Sequence, residues 1–151
     1  MAGDEQTGAG ITRSRQTGEL TAAECWRLLA STSLGRIVFT RMALPAIRPV
    51  NHLVEDKTII IRSHMGAAIV YRAASGGGTV VCYEADDLDP VGHTGWSVIA
   101  TGIAQLVRDP AAIARYQREL EPWAAVGDMD YVIAVKPQMI TGLRISVPAA
   151  G

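Results

Sequence analysis

Residues 35–62 read GRIVFTRMALPAIRPVNHLVEDKTIIIR and carry the clearest structural signal in the chain. Three apolar, β-branched runs bounded by turn residues are typical of β-strands. The runs are Gly35–Thr40, Ala46–Val54 and Thr58–Arg62. Pro49 inside the second run indicates an edge position or a missing ladder bond. The stretch therefore predicts three consecutive strands joined as hairpins.

Helix signals lie on both sides of this stretch. Thr21 and Glu24 form a capping box, which predicts a helix over Ala22–Ala30. Met65–Ala74 is a short Ala-rich run that predicts a second helix. Asp109 before Pro110 is a cap followed by a first-turn proline, which predicts a third helix ending near residue 120.

The other strand signals complete a β-rich pattern. We predict strands at 79–84, at 96–107 with a bend at Gly102, at 131–135 and at 139–145, and a turn-rich acidic connection over 86–95. Six or seven strands in hairpin order with short helices predict an antiparallel barrel, not a doubly wound sheet. Residues 1–18 are expected to form a disordered tail, and residues 19–147 the domain.

Composition excludes several classes of function. The chain has 151 residues, 48% of them apolar, with a formal net charge of −1, so we expect one globular domain and no nucleic-acid partner. No apolar run approaches the ~20 residues of a membrane helix, and no signal-peptide pattern opens the chain. We therefore expect a cytoplasmic protein with no membrane partner.

The polar clusters do not match metal or nucleotide sites. Gly76–Gly78 follows a predicted helix and opens a strand, the reverse of the order in a phosphate-binding loop. The acidic residues after position 85 lack a calcium-loop pattern, and the three histidines lack zinc-ligand spacing. Cys25 and Cys82 are isolated. We predict no metal site.

The hairpin of the second and third strands offers an anion site. If Glu55–Lys57 is a three-residue turn, Val54 faces Thr58 and Val50 faces Arg62. The side chains of Arg48, His52, Arg62 and His64 then share one face, with Ile47, Leu53, Ile59 and Ile61 on the other. Two arginines beside the start of the next helix favour a phosphate pocket. A solvated face with its arginines paired to carboxylates is an equal alternative.

These residues resemble a known family. Gly35–Thr40, Arg48–His52, Ile59–Ser63 and Gly95–Gly102 are similar to the pyridoxamine 5'-phosphate oxidase-like, FMN-binding proteins, in particular their short actinobacterial members. The resemblance covers roughly residues 20–145. It implies a six- to seven-stranded antiparallel split β-barrel with Greek-key topology and short flanking helices, which forms a homodimer with FMN in clefts at the interface.

The resemblance also implies which residues hold the cofactor. By analogy, Arg48, Pro49, Val50 and Asn51 line the flavin ring and ribityl chain, and Arg62 and Ser63 support the ring edge and phosphate. Trp96 and Ser97 approach from the partner subunit. Gly66, Ala67 and Ala68 occupy the place where family members carry a basic phosphate anchor.

This departure from the family pattern leaves the ligand open. A missing charged contact to phosphate removes about 1.5–3 kcal/mol of binding free energy. The resemblance implies a flavin-dependent oxidoreductase acting on an unknown small-molecule substrate. The alternatives are a deazaflavin or haem as ligand, and a non-enzymatic binding module as function. The sequence indicates no catalytic residue.

Overall fold

The computed structural model of the chain describes residues 14–63, 73, 76–121 and 130–149. Its strands are β1 (Gln16–Glu19), β2 (Leu34–Arg41), β3 (Leu44–Glu55), β4 (Thr58–Ser63), β5 (Thr79–Asp89), β6 (Thr94–Leu106) and β7 (Tyr131–Ser146). Its helices are α1 (Ala22–Ala30) and α2 (Pro110–Glu119). Neither helix is long and apolar enough to span a membrane.

The seven strands form one antiparallel sheet that closes on itself. Their order is β1-β7-β4-β3-β2-β5-β6, and β6 pairs again with β7. Six strands therefore make a ring, and β1 adds to the outer end of β7. The predicted mainly β fold, an antiparallel split barrel with short helices, is confirmed.

Both described helices begin at the predicted caps. The Thr21 hydroxyl accepts from the Glu24 backbone N–H at 3.2 Å, and the Glu24 carboxylate accepts from the Thr21 N–H at 2.7 Å. The Asp109 carboxylate accepts from the Ala112 N–H at 3.2 Å. The helix predicted over Met65–Ala74 lies outside the described residues except for Ala73, which is helical and buried.

Alternating side chains of the ring fill the barrel. The central core contains fully buried Ile37, Ile59, Ile61, Tyr83, Ala100, Ile133 and Val135. On the outside, α2 covers β4 and β7 through Tyr116 and Leu120, which pack on Ile60 and Val132. Helix α1 contributes Leu29 to the central core and Cys25 to a smaller cluster with Trp96 and Val98.

Several element boundaries differ from the predictions. Residues 16–19 pair with β7, so part of the predicted tail is a strand. Strand β5 continues to Asp89, where a turn was predicted, because 86–89 pair with β6. Residues 131–146 form one strand instead of two. The predicted irregularity at Gly102 is confirmed, since the β6–β7 register shifts between Thr101 and Gly102.

The turn between β3 and β4 has two residues, not the predicted three. Glu55 pairs with Thr58, and Asp56 and Lys57 both have positive φ, at 48° and 54°. This geometry is that of the tight hairpin turns that match strand twist. Because side chains alternate along a strand, this one-residue shift changes which residues of β3 and β4 lie on the same face. His52 pairs with Ile61 inside the barrel, whereas Arg62 points outward. The prediction that His52 and Arg62 share a face is wrong.

Gly35 gives a test of the packing inside the barrel. A Cβ at this buried position would collide with the Tyr83 hydroxyl and lie 2.6 Å from the Glu84 carbonyl oxygen. We expect Gly35→Ala to lower the free energy of unfolding by about 1–3 kcal/mol, the usual cost of overpacking. Urea denaturation measures this value. Gly18→Ala is the matched control, because nothing lies within 4 Å of its Cβ position. Equal stabilities of the two variants would contradict the packing.

Candidate functional site

The four residues of β3 predicted to line a cofactor differ in how far their side chains are buried. Val50 is 6% exposed and belongs to the central core, so its side chain does not reach a ligand. Arg48 and Pro49 are exposed, and Asn51 is half-buried. The Arg48 guanidinium donates to the Ile47 carbonyl at 2.8 Å and contacts no carboxylate in the described part of the chain. Arg48, Pro49 and Asn51 therefore remain candidates for ligand contacts.

Arg62 is engaged in an internal ion pair. Its Nε lies 2.8 Å and 2.7 Å from the two carboxylate oxygens of Asp130, and its Nη2 lies 2.6 Å from Oδ2. Its Nη1 donates to the Gln117 and Leu120 carbonyls at 3.0 Å and 2.8 Å. The hydrogen bonds that Arg62 donates to Asp130 raise the pKa of Arg62. Arg62 thus holds the C-terminal end of α2, and a phosphate would compete with Asp130 for it.

Asn51 and Arg62 meet at the end of α2. The Asn51 amide donates to the Glu121 carbonyl at 2.7 Å, one residue beyond the Leu120 carbonyl that Arg62 binds. Two of the predicted site residues are therefore brought together by the fold. Both are tied to the backbone that follows α2.

The two predicted residues of β6 point in opposite directions. Trp96 is 6% exposed and packs with Cys25 and Val98, so its side chain is part of the core. Ser97 points outward and pairs across the sheet with Asp86 and Leu143. Of this pair, Ser97 is the candidate for a ligand contact.

The remaining predicted residues are described in part or not at all. Ser63 ends β4 and pairs with Tyr131 through the backbone. Gly66, Ala67 and Ala68, in the place of the family's phosphate anchor, lie outside the described residues.

A cavity of about 530 Å³ lies beside Asn51. We call it the β3 cavity; it is lined by Ala30, Thr32, Ser33, Asn51, His52, Leu53, Val54, Glu119, Leu120 and Glu121. Its walls are the end of α1, the middle of β3 and the end of α2. The charged residues in this lining are both glutamates, so the lining itself supplies no cation for a phosphate.

A second concave region lies around Ser97. This β6 groove has a volume of about 330 Å³ and is lined by Glu19, Leu20, Ser97, Ile99, Ile140, Thr141, Gly142 and Leu143. Aliphatic side chains and two hydroxyls suit the face of a flat, partly polar ring better than a phosphate. Its charged lining residue, Glu19, is acidic.

The outer surface of the barrel between these regions is poor in charge. Cross-strand pairing aligns Ile47, Val38, Cys82, Thr101 and Met139 in one outward row. Ile47, Ile99 and Met139 are 54%, 45% and 60% exposed. Such a continuous apolar surface is typical of an interaction site.

One cluster of ion pairs lies beside this apolar row, on the outer face of β2 and β5. Arg36 contacts Glu84 at 3.1 Å and Asp86 at 3.2 Å. Burial, together with the nearby Asp86 carboxyl, raises the pKa of Glu84. Sequence reasoning missed this cluster and the Arg62–Asp130 pair, because their members are 48 to 68 residues apart. Alternation along β5, which puts Glu84 and Asp86 on one face, was the available signal for the first.

Comparisons with known proteins agree on one family. Residues 21–144 match a family model described as pyridoxamine 5'-phosphate oxidase. An uncharacterized protein of Mycobacterium tuberculosis is 53% identical over 134 residues, which cover 87% of this chain and 88% of that one. The FAD binding protein of Mycobacterium smegmatis is 41% identical with a TM-score of 0.65, covering 83% of this chain and 97% of that one.

A further solved structure has the same fold. It is a Corynebacterium glutamicum protein provisionally named a pyridoxamine 5'-phosphate oxidase, 30% identical with a TM-score of 0.70. The alignment covers 85% of this chain and 98% of that one.

The internal engagement of Arg62 predicts the effect of removing it. Arg62→Ala would leave the Asp130 carboxylate, 16% exposed, without its cation and with the Gln117 amide as its described donor, and would remove the donor to the Gln117 and Leu120 carbonyls. We expect the free energy of unfolding to fall by about 2–4 kcal/mol. Arg48→Ala, at an exposed position, is the control and should change stability by less than about 0.5 kcal/mol. Chemical denaturation of both variants tests this, and an unchanged stability for Arg62→Ala would refute the assigned role.

Proposed function

The chain belongs to the pyridoxamine 5'-phosphate oxidase-like family, and we propose that it is a homodimeric flavin-binding protein of the oxidoreductase type. The observation that carries the proposal is its 41% identity to an FAD binding protein along nearly the whole of that chain. The placement of Pro49, Asn51 and Ser97 on the outside of the barrel is compatible with this function. We keep the cytoplasm as the predicted location.

The positions of β3 and β6 support a site shared by two copies. In the ring, β2 and β5 separate these strands on one side, and β4 and β7 on the other. Outward side chains on opposite sides of one barrel cannot contact the same ligand. If β3 of one copy faced β6 of another, Pro49 and Asn51 would meet the partner's β6 groove. Arg48 pairs with Ile37 and alternates to the other face of β3, where its side chain is exposed.

The flavin itself would supply the hydride or electron chemistry of such a site. The protein would supply position and electrostatics. The apolar β6 groove suits the ring, and Asn51 and Ser97 offer hydrogen bonds at its edge. Among the described residues, the acid/base side chains that line the two cavities are His52, which is buried in the Tyr83–Leu29 hydrogen-bond chain, and glutamates at the rims, so we assign no catalytic residue. The alternative of a non-enzymatic binding module rests on this observation.

The phosphate is the point on which FMN and FAD differ. FMN ends in a phosphate that requires a nearby cation, whereas FAD carries a pyrophosphate and an adenosine that adds contact area. The family pattern makes FMN our first assignment, with FAD as the alternative. Arg48 is the described cation on the proposed binding strand that is free of any carboxylate, so we assign it to the phosphate.

Ligand titration tests the proposed function. We expect purified protein to bind FMN or FAD with a Kd on the order of micromolar, followed by flavin fluorescence and visible absorption. A deazaflavin and haem are measured in parallel, because either could replace the flavin in this fold. Failure of both FMN and FAD to bind at micromolar concentrations would refute the proposal. Bound flavin without turnover by nicotinamide donors would favour the binding module.

Arg48→Ala provides the internal control for the phosphate. We expect it to weaken FMN by about tenfold to a hundredfold, the loss of one charge-assisted contact. Riboflavin, which lacks the phosphate, should be unaffected. Arg41→Ala, at an exposed arginine near the β2–β3 turn, should alter neither ligand. Equal losses for FMN and riboflavin would contradict the assignment of Arg48.

The proposed dimer has a separate test. Light scattering of the wild type should give twice the 16.1 kDa mass of the chain. Ile99→Glu places a charge in the exposed apolar surface of β6 and should yield monomers that no longer bind flavin. Val91→Glu, in the β5–β6 turn and 87% exposed, is the control and should stay dimeric. A monomeric wild type would refute both the dimer and the shared site.

A further inference from the structure

His52 belongs to the β3 wall of the β3 cavity and contacts the end of α1. Its side chain is 2% exposed, and its ring Nε2 is 2.8 Å from the Leu29 carbonyl oxygen in the last turn of α1. The Tyr83 hydroxyl lies 2.5 Å from Nδ1, and the two rings meet edge to face with centroids 5.1 Å apart. The backbone N–H of His52 also donates to the Ser33 carbonyl at 2.8 Å.

These contacts permit one arrangement of protons. A carbonyl oxygen only accepts, so Nε2 must carry the hydrogen. In a neutral imidazole Nδ1 then has a lone pair, and the Tyr83 hydroxyl donates to it. Burial raises the pKa of Tyr83, which keeps the hydroxyl protonated and able to donate. The chain from Tyr83 through His52 to Leu29 is fully satisfied only when His52 is neutral.

The same contacts join the walls of the cavity. Leu29 precedes Ala30, Thr32 and Ser33, which form the α1 wall, and His52 lies between Asn51 and Leu53 of the β3 wall. Without the hydrogen bond from His52, the end of α1 would keep fewer ties to β3. The distance between the walls, and the placement of Asn51, therefore depend on His52.

We propose that Tyr83 and His52 are positioning residues that hold the β3 cavity in its binding shape, and that protonation of His52 destabilises this shape. The consequence for ligand affinity rests on the proposed flavin site. The buried hydrogen-bond chain itself does not.

Protonation of His52 would disturb the arrangement. Nε2 would keep its hydrogen bond to the Leu29 carbonyl, but Nδ1 could then only donate to the Tyr83 oxygen, and the Tyr83 hydroxyl hydrogen would lose its acceptor. The charged side chains of α1, β2, β3, β4, β5 and α2, with the residue pair that follows α2, are Glu24, Arg27, Arg36, Arg41, Arg48, Glu55, Arg62, Glu84, Asp86, Asp87, Asp89, Arg115, Arg118, Glu119 and Glu121. None of these hydrogen-bonds the ring in the described structure. A buried imidazolium would have no carboxylate partner.

The sign of the pH dependence follows from burial. Desolvation lowers the pKa of His52 below its ordinary value of about 6.5, with partial compensation from the Leu29 carbonyl. The contribution of neutral His52 to stability is therefore fully present above about pH 6.5 and is lost as the pH falls toward the folded-state pKa. Affinity for a ligand that requires the intact cavity should weaken in the same direction.

The first experiment measures flavin affinity from about pH 7.5 to about pH 5. We expect the wild-type Kd to rise as the pH falls, by no more than tenfold per pH unit because one proton is taken up. His52→Gln retains a donor and an acceptor but does not titrate, so this slope should disappear. His93→Asn is the control, since His93 is exposed with a φ of 54° that Asn tolerates. It should keep the wild-type slope.

A second measurement needs no ligand. Imidazole ¹⁵N NMR of the flavin-free wild type should show one neutral histidine with its hydrogen on Nε2 at about pH 6.5. That signal should be missing from His52→Gln. A pH-independent wild-type Kd, an unchanged slope in His52→Gln, or a His52 that carries its hydrogen on Nδ1 would overturn the proposal. If no flavin binds at any pH, the proposed function fails, and the NMR result alone judges the positioning pair.

Discussion

Strand β7 pairs with three other strands, and its backbone ladders convert a sheet into a barrel. Its first half pairs with β4, most of its length pairs with β6, and its end pairs with β1. Closure determines which residues can meet: it places β3 and β6 on opposite sides of the ring. A ligand that contacts both strands therefore requires two copies. The proposed dimer therefore depends on a ligand that contacts both strands, as the family resemblance implies.

The two arginines of the predicted phosphate site differ in whether a carboxylate of the same chain already pairs with them. Arg62 lies beside Asp130 and the last carbonyls of α2, so its charge is already neutralised within the domain. Arg48 has a carbonyl contact but no carboxylate. An anionic ligand gains more from a cation without a partner than from one that must first leave a carboxylate. This difference favours Arg48 over Arg62 for the proposed phosphate contact, although the family analogy places Arg62 at the phosphate and Arg48 along the ring and ribityl chain.

Local signals in the sequence predicted much of the fold. The capping box at Thr21, the cap at Asp109 and the irregularity at Gly102 depend on residues close together in the chain, and all three are confirmed. The candidate site was harder to predict because its contacts are long-range. Asp130 is 68 residues from Arg62, and Tyr83 is 31 residues from His52. Nothing near either position indicates the partner, since closure of the barrel creates both contacts.

The length of the β3–β4 turn decides which residues of the hairpin face the candidate site. Glu55–Asp56–Lys57 lacks the Asn or Gly that usually indicates a two-residue turn, so a three-residue turn was the reasonable expectation. Because side chains alternate between the two faces of a strand, a turn shorter by one residue moves the side chains of β3 to the opposite face relative to those of β4. His52 then belongs to the core instead of an exposed basic face. A histidine buried without a charged partner is favoured in its neutral, hydrogen-bonded form, so the corrected register takes His52 from the face of the two arginines and places it where it can shape the cavity.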